Sequence, residues 1–310
     1  MTPRTLHAAT DALAELAAEV GGVDAGAVVA IGGCTQFDVG GDVDASAREV
    51  RAPTGIVEHV PAEMTVRVRA GTTVSDLDAA LDAHGQCVAL PANDGATVGG
   101  VLAVGHSGIR RLGWGPVRDT VLEVRYVSAE GALVKGGGPT VKNVSGYDLP
   151  RLMVGSLGTL GIIGEVVLRT RPVPACERWF AGETDPFELV HRLYRPAAVL
   201  WDGTTTWLLL DGHPADVDAQ ATVAGLAEAE AGPSAAAALA HRWSMKPSEL
   251  ASLPSDGNGA FLAQVGVGVV HRSVPQSRPP VDPAVAELHT RLKQAFDPTG
   301  RLAPGRTVLP

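Results

Sequence analysis

Aromatic residues make up only 4% of the chain, so Ala, Val, Leu and Ile must fill whatever core it builds. Cysteine is scarce: Cys34, Cys87 and Cys176 lie far apart and form no CxxC pair. This disfavours a disulfide framework, structural zinc and a cysteine-ligated iron–sulfur cluster, and lone thiols suit a reducing compartment. Basic residues are in deficit, 25 Lys and Arg against 34 Asp and Glu, for a net charge of −9. Nucleic acid needs clustered cations and is not expected as a partner. The longest mostly apolar stretch, residues 261–270, is about half the ~20 residues that cross a bilayer. Asp11, Glu15 and Glu19 interrupt the N-terminal segment, which does not read as a secretory signal. The expectation is a cytoplasmic protein with no membrane span.

Several chemical signatures are also missing. There is no GxxxxGK[ST], no HExxH, and no GxGxxG between a strand and a helix. A Walker-type NTPase, a zincin and a dinucleotide-binding Rossmann domain are thereby disfavoured. Gly105-His106-Ser107-Gly108 approaches a nucleophile elbow, but its second glycine follows the serine directly. That spacing argues against a hydrolase.

Hydrophobic residues at 45% with 19% charged residues describe a chain able to bury a sizeable core. Its 310 residues suggest two domains at ~150 residues each. Leu6, Ala9, Leu13, Leu16, Ala17 and Val20 recur at helical spacing. Residues 28–31 read as a short strand, and 65–70 alternate as strands do, with Val66 and Val68 opposite Arg67 and Arg69. Ser75 is the expected N-cap of a helix over 76–84, with Gly85 closing it. Residues 91–108 read as a loop rich in small residues, and 120–135 as a β-hairpin turning at Glu130-Gly131. A strand over 165–171 ends at Pro172 and Pro174. Beyond it come a strand over 206–210, an Ala-rich helix over 216–240, a strand over 261–270 and a helix over 284–296.

Three glycine-bearing segments stand beside strands: residues 32–35, 97–100 and 155–164. Glycine leaves the main chain bare, so amides can approach a ligand, and consecutive free amides form nests suited to a diphosphate. For one such segment an ordinary tight turn is the simpler reading. Three within so short a span shift the balance toward a large cofactor. No segment supplies a lysine, so neutral cradling is expected.

These motifs resemble the FAD-linked oxidases of the vanillyl-alcohol oxidase / PCMH type, and most of all the FAD-binding E subunit of glycolate oxidase. Gly32-Gly33-Cys34-Thr35 is similar to the family's pyrophosphate loop. Pro91 with Ala96-Thr97-Val98-Gly99-Gly100 resembles the second flavin-contacting segment. Ser107-Gly108-Ile109-Arg110-Arg111, Gly115-Pro116-Val117-Arg118-Asp119 and Val141-Lys142-Asn143-Val144-Ser145-Gly146-Tyr147-Asp148-Leu149 look like the E subunit in particular. Residues 155–163 resemble the Gly-Thr-Leu-Gly segment, and Phe296-Asp297-Pro298 with Pro304-Gly305-Arg306 the closing motif.

The resemblance implies an α+β fold: a two-subdomain PCMH-type FAD-binding domain over 1–174 and a smaller α+β cap domain over 175–310, whose closing segment returns to the FAD domain. It implies FAD as cofactor, contacted by Gly32, Gly33, Cys34, Thr35, Gln36, Pro91, Thr97, Gly99, Gly100, Ser107, Gly108, Gly155, Ser156, Gly158, Gly161 and Ile163. It implies a small 2-hydroxy acid as substrate, and as partners a larger flavoprotein subunit and an iron–sulfur subunit, through which any membrane association would run. Two departures stand out. Cys34 occupies a position where covalent members carry a flavin-linking His; a small residue filling a glycine position is the simpler reading, and a thioether link the alternative. Gln36 stands where the subunit often has Lys.

No catalytic residue is assigned. Ser255-Asp256-Gly257-Asn258 echoes part of a family metal segment without its histidines and reads as a turn. His191, His213, His241, His271 and His289 lack metal-ligand spacing, so no metal is expected. His106 reads as structural or as a base, and Arg110, Arg111 and Arg118 as carboxylate clamps or as partners of nearby acids. Three readings stay open: an oxidoreductase subunit of a glycolate-oxidising complex, a non-catalytic scaffold with the same fold, and a stand-alone FAD oxidase of an unknown small substrate.

Overall fold

The computed structural model describes residues 3–91, 93–138, 148–233, 239–277 and 280–308, with side chains from residue 12 onward. Seven of the nine residues in the motif over 141–149 lie outside the described residues, as does Ala92. The chain divides into two compact units. The first comprises Met1–Ser107, Pro116–Val173 and Pro280–Pro310; the second comprises Gly108–Gly115 and Pro174–Pro279.

The first unit is built on a five-stranded antiparallel sheet. Its order is Ile56–Val60, Thr65–Arg69, Ile162–Arg169, Val121–Val127, Leu133–Gly137. Alternation along Thr65–Arg69 sets its two faces. Val66 and Val68 join Val124, Tyr126, Val166 and Leu168 in a core. The helix Val74–Asp82 adds Val74, Leu77 and Leu81 to that core, and Val98–Val104 adds Val98, Val101 and Leu102. On the other face Arg67 donates to Glu123 at 2.7 Å and Glu165 at 3.2 Å, and both carboxylates are fully buried. Arg125 and Lys135 complete the cluster. A second core gathers Leu16 and Val20 of the helix Pro3–Val20 with Val28, Val50, Val127, Ile162 and Leu302. Here the strands Val28–Ala30 and Arg48–Val50 pair in parallel.

The second unit is a seven-stranded antiparallel sheet. Its order is Ala227–Ala229, Cys176–Gly182, Thr206–Gly212, Ala198–Trp201, Phe261–Gln264, Val269–Arg272, His241–Ser244. The helices Pro186–Arg192 and Pro214–Ala224 contribute Leu189 and Val217 to its core. Arg272 is buried there, donating to Asp256 at 2.5 Å and stacked over Trp243 and Phe261.

The hairpin over 120–135 is present as Val121–Val127 paired with Leu133–Gly137. Four local expectations are corrected. Thr73, not Ser75, caps the helix Val74–Asp82: its Oγ1 accepts from the Asp76 amide at 3.1 Å. Residues 91–108 are not all loop, since 98–104 form a helix capped by Thr97. The Ala-rich helix stops at Ala224, where Gly225 turns left-handed; a strand, Ala227–Ala229, follows, and 234–238 lie outside the described residues. The single strand over 261–270 is two strands with a turn between them, Phe261–Gln264 and Val269–Arg272.

Candidate functional site

The site is a groove in the first unit, made where three loops meet. The first loop leaves the strand Val28–Ala30 after the Ile31 amide donates to Val50 O at 2.8 Å. Cys34 then adopts φ 56°, the left-handed conformation. Among the described residues no acceptor faces the main-chain amides of Gly32, Gly33 and Cys34. The C-terminal segment holds this loop from outside. Asp44 N donates to Pro304 O and Thr307 N to Gly40 O, each at 2.9 Å. Arg306 donates through Nη1 to Val39 O at 2.8 Å and through Nη2 to Phe37 O at 2.5 Å.

The second and third loops behave differently. Val98 N donates to Thr72 O, Gly99 N to Ala70 O at 2.7 Å, and Gly100 N to Thr97 Oγ1 at 3.2 Å. The opening turn of this helix is thus satisfied within the protein. Its last carbonyls hold the third loop: Gly155 N donates to Leu102 O and Leu157 N to Ala103 O, each at 2.9 Å. The second segment therefore offers the groove small surfaces more than free amides. Close packing also accounts for several of the glycines. A Cβ on Gly33 would lie 1.7 Å from Gly95 O, and one on Gly161 would lie 2.4 Å from the Tyr126 ring.

Two cavities share Ala30, Gly32, Thr97, Gly100, Ala103 and Gly158 and so form one continuous groove. Gly32, Gly33, Cys34, Thr35, Gln36, Pro91, Thr97, Gly100 and Gly158 line the larger part. Gly99, Gly161 and Ile163 line the smaller. Ser107, Gly108, Gly155 and Ser156 line neither. Ser107 Oγ accepts from Val117 N at 3.1 Å, Gly108 falls in the second unit, and Ser156 is buried beneath the loop. The sequence reading left Asn93, Leu157 and Arg306 out of its contact residues and weighed His106 only as structural or as a base; all four stand in the wall of the larger cavity. Arg306 had a signal as the last residue of the closing motif, and Leu157 as part of the segment over 155–163.

Burial pulls the Arg306 guanidinium below the ordinary arginine value, and Asp38 and Cys34 oppose the shift. Arg110 is engaged in the second unit, with Glu177 at 2.6 Å and Asp211 at 3.5 Å, and Trp114 Nε1 donates to the same Asp211. Arg118 lies 4.0 Å from Asp119. Asp256 accepts from Asn258 N, so that segment is a turn. Desolvation lowers the pKa of His271.

Residues 13–137 match the family described as FAD binding domain. The chain carries an FAD binding domain. The groove lies largely within that domain, and the fit is physical as well. Three consecutive free amides suit a diphosphate, and small residues make up much of the groove's wall. The relatives are FAD-linked oxidoreductases. The glycolate oxidase subunit GlcE of Escherichia coli (strain K12) is 40% identical over 139 residues, 44% of this chain and 40% of that protein. A D-lactate dehydrogenase of Archaeoglobus fulgidus is 42% identical over 106 residues, 33% of this chain and 24% of that protein. The matches thus span less than half of either relative. Among solved structures, an alkyldihydroxyacetonephosphate synthase superposes with a TM-score of 0.69 at 15% identity, covering 94% of this chain and 74% of that one. The fold is therefore the mixed α and β fold of the PCMH-type FAD oxidases, as the motifs implied. Among the described residues no helix is long and apolar enough to cross a membrane.

Proposed function

We propose that this chain is the FAD-binding subunit of a complex that oxidises glycolate or a similar 2-hydroxy acid. It would work beside a larger flavoprotein subunit and an iron–sulfur subunit. The observation that carries the reading is the 40% identity to GlcE over 139 residues. Bound FAD would supply two-electron redox chemistry, as an acceptor for hydride from the hydroxyl-bearing carbon. The protein's part is placement. The free amides of residues 32–34 would hold the diphosphate, while Val101, Ala103, Val104 and Leu157 line the groove with apolar surface. His106 stands in the same wall.

The test is spectral. The purified chain, alone and after incubation with FAD, is examined for flavin absorbance, and glycolate or D-lactate is then added anaerobically. The subunit reading expects bound flavin that stays oxidised without the partner subunits. Bleaching by the chain alone marks a stand-alone oxidase, and a protein that remains colourless marks a scaffold.

A further inference from the structure

The groove carries one permanent charge that the glycine motifs did not announce. Among the residues lining the two cavities, Arg306 is the only one charged at every physiological pH. Its guanidinium is fixed from three sides, by Val39 O, by Phe37 O and by the Phe37 ring, whose centroid is 4.3 Å away. A guanidinium has five N–H donors, and two are accounted for by these carbonyls. The buried Nε has no hydrogen-bond partner among the described residues. That atom is out of a ligand's reach, so the second N–H on each Nη is the donor left for one. The same cavity wall holds Gly32, Gly33 and Cys34, whose amides also face no acceptor.

We propose that Arg306 is the anion-reading residue of the groove: the closing segment delivers one cation to the bare amides of residues 32–34, and together they bind a diphosphate. The inference rests on the FAD reading and deepens it. It explains how a loop without lysine, in a protein of net charge −9, can attract a dianionic bridge. The charge arrives from the far end of the chain, and fixing it on Phe37 removes most of the ordering entropy that binding would otherwise cost. A guanidinium also offers paired donors in one plane, which suits phosphate oxygens better than an ammonium does.

The experiment compares FAD with riboflavin, which lacks the phosphates, by equilibrium binding to apo-protein. The proteins are wild type, Arg306→Gln and Arg306→Lys. The ratio of the two affinities within each protein is the readout, so a general loss of stability does not move it. Loss of a charge-assisted contact predicts a fall in the FAD preference of Arg306→Gln on the order of tenfold to a hundredfold. Arg306→Lys keeps part of the preference, and the wild-type preference weakens as salt is raised. An unchanged ratio in Arg306→Gln, with both affinities reduced alike, reduces Arg306 to a brace for the loop and overturns the proposal. Wild-type protein that binds neither compound removes the cofactor reading and this inference with it.

Discussion

At the scale of single residues, the largest electrostatic commitment is away from the groove. Glu123 and Glu165 are fully buried, and Arg67 bridges them. Burial pushes the Glu123 carboxyl up, but Arg67 and Lys135 together hold it below the usual carboxylate range. A carboxyl lowered on folding stabilises the native state above its unfolded value of ~4.3, and that contribution disappears as pH falls through the lower folded value. Arg67→Met should leave the two buried carboxylates with only the more exposed Arg125 and Lys135 beside them and destabilise the protein by about 1–3 kcal/mol near neutrality, measured by urea unfolding. Its deficit should shrink on acidification, because carboxyls that have lost Arg67 protonate more readily; a deficit that grows as pH falls would contradict this account. The glycines separate in the same way. Gly161→Asp meets the Tyr126 ring and should lower the thermal midpoint, whereas Gly100, whose added Cβ would meet only Thr97 Oγ1 at 3.0 Å, can take an acid at a helix N-terminus. Gly100→Asp should therefore fold and lose FAD by repulsion of the diphosphate, as read by circular dichroism and flavin titration.

At the scale of elements, legibility followed the strength of the local pattern. The hairpin was readable because Leu122, Val124 and Tyr126 alternate with charged residues and a turn follows. The helix Val98–Val104 was not, because Gly99 and Gly100 lower propensity in its first turn and its apolar residues are too few to show a period. The tertiary bonds to Ala70 O and Thr72 O that start it are invisible in sequence. Likewise the run over 261–270 hid a turn: Gly266 and Gly268 both adopt φ near 80°. The three glycine segments all contribute to the lining of the groove, but the amides of the second are taken up within the protein while those of the first face no acceptor among the described residues. Thr97→Ala removes the cap on Gly100 N, and a stability loss of about 1 kcal/mol is expected from thermal unfolding.

At the scale of the whole molecule, the closing segment is the tie that pattern reading could place but not explain. Arg301 is buried and donates to the carbonyls of Val20, Gly21, Gly26 and Ala129 at 2.7–3.0 Å. Lys293 Nζ donates to Thr159 O at 2.8 Å, in the third loop of the groove, and pairs with Asp297 at 2.6 Å. Removing residues 301–310 should therefore abolish flavin binding and destabilise the first unit, which limited proteolysis would report as new cleavage before residue 174. The account stands or falls on the stoichiometry of FAD binding to the purified chain, measured by calorimetry together with flavin absorbance. One FAD per chain, bound by wild type and absent from folded Gly100→Asp, is the result expected. No binding to wild type, or full binding to both, would contradict it.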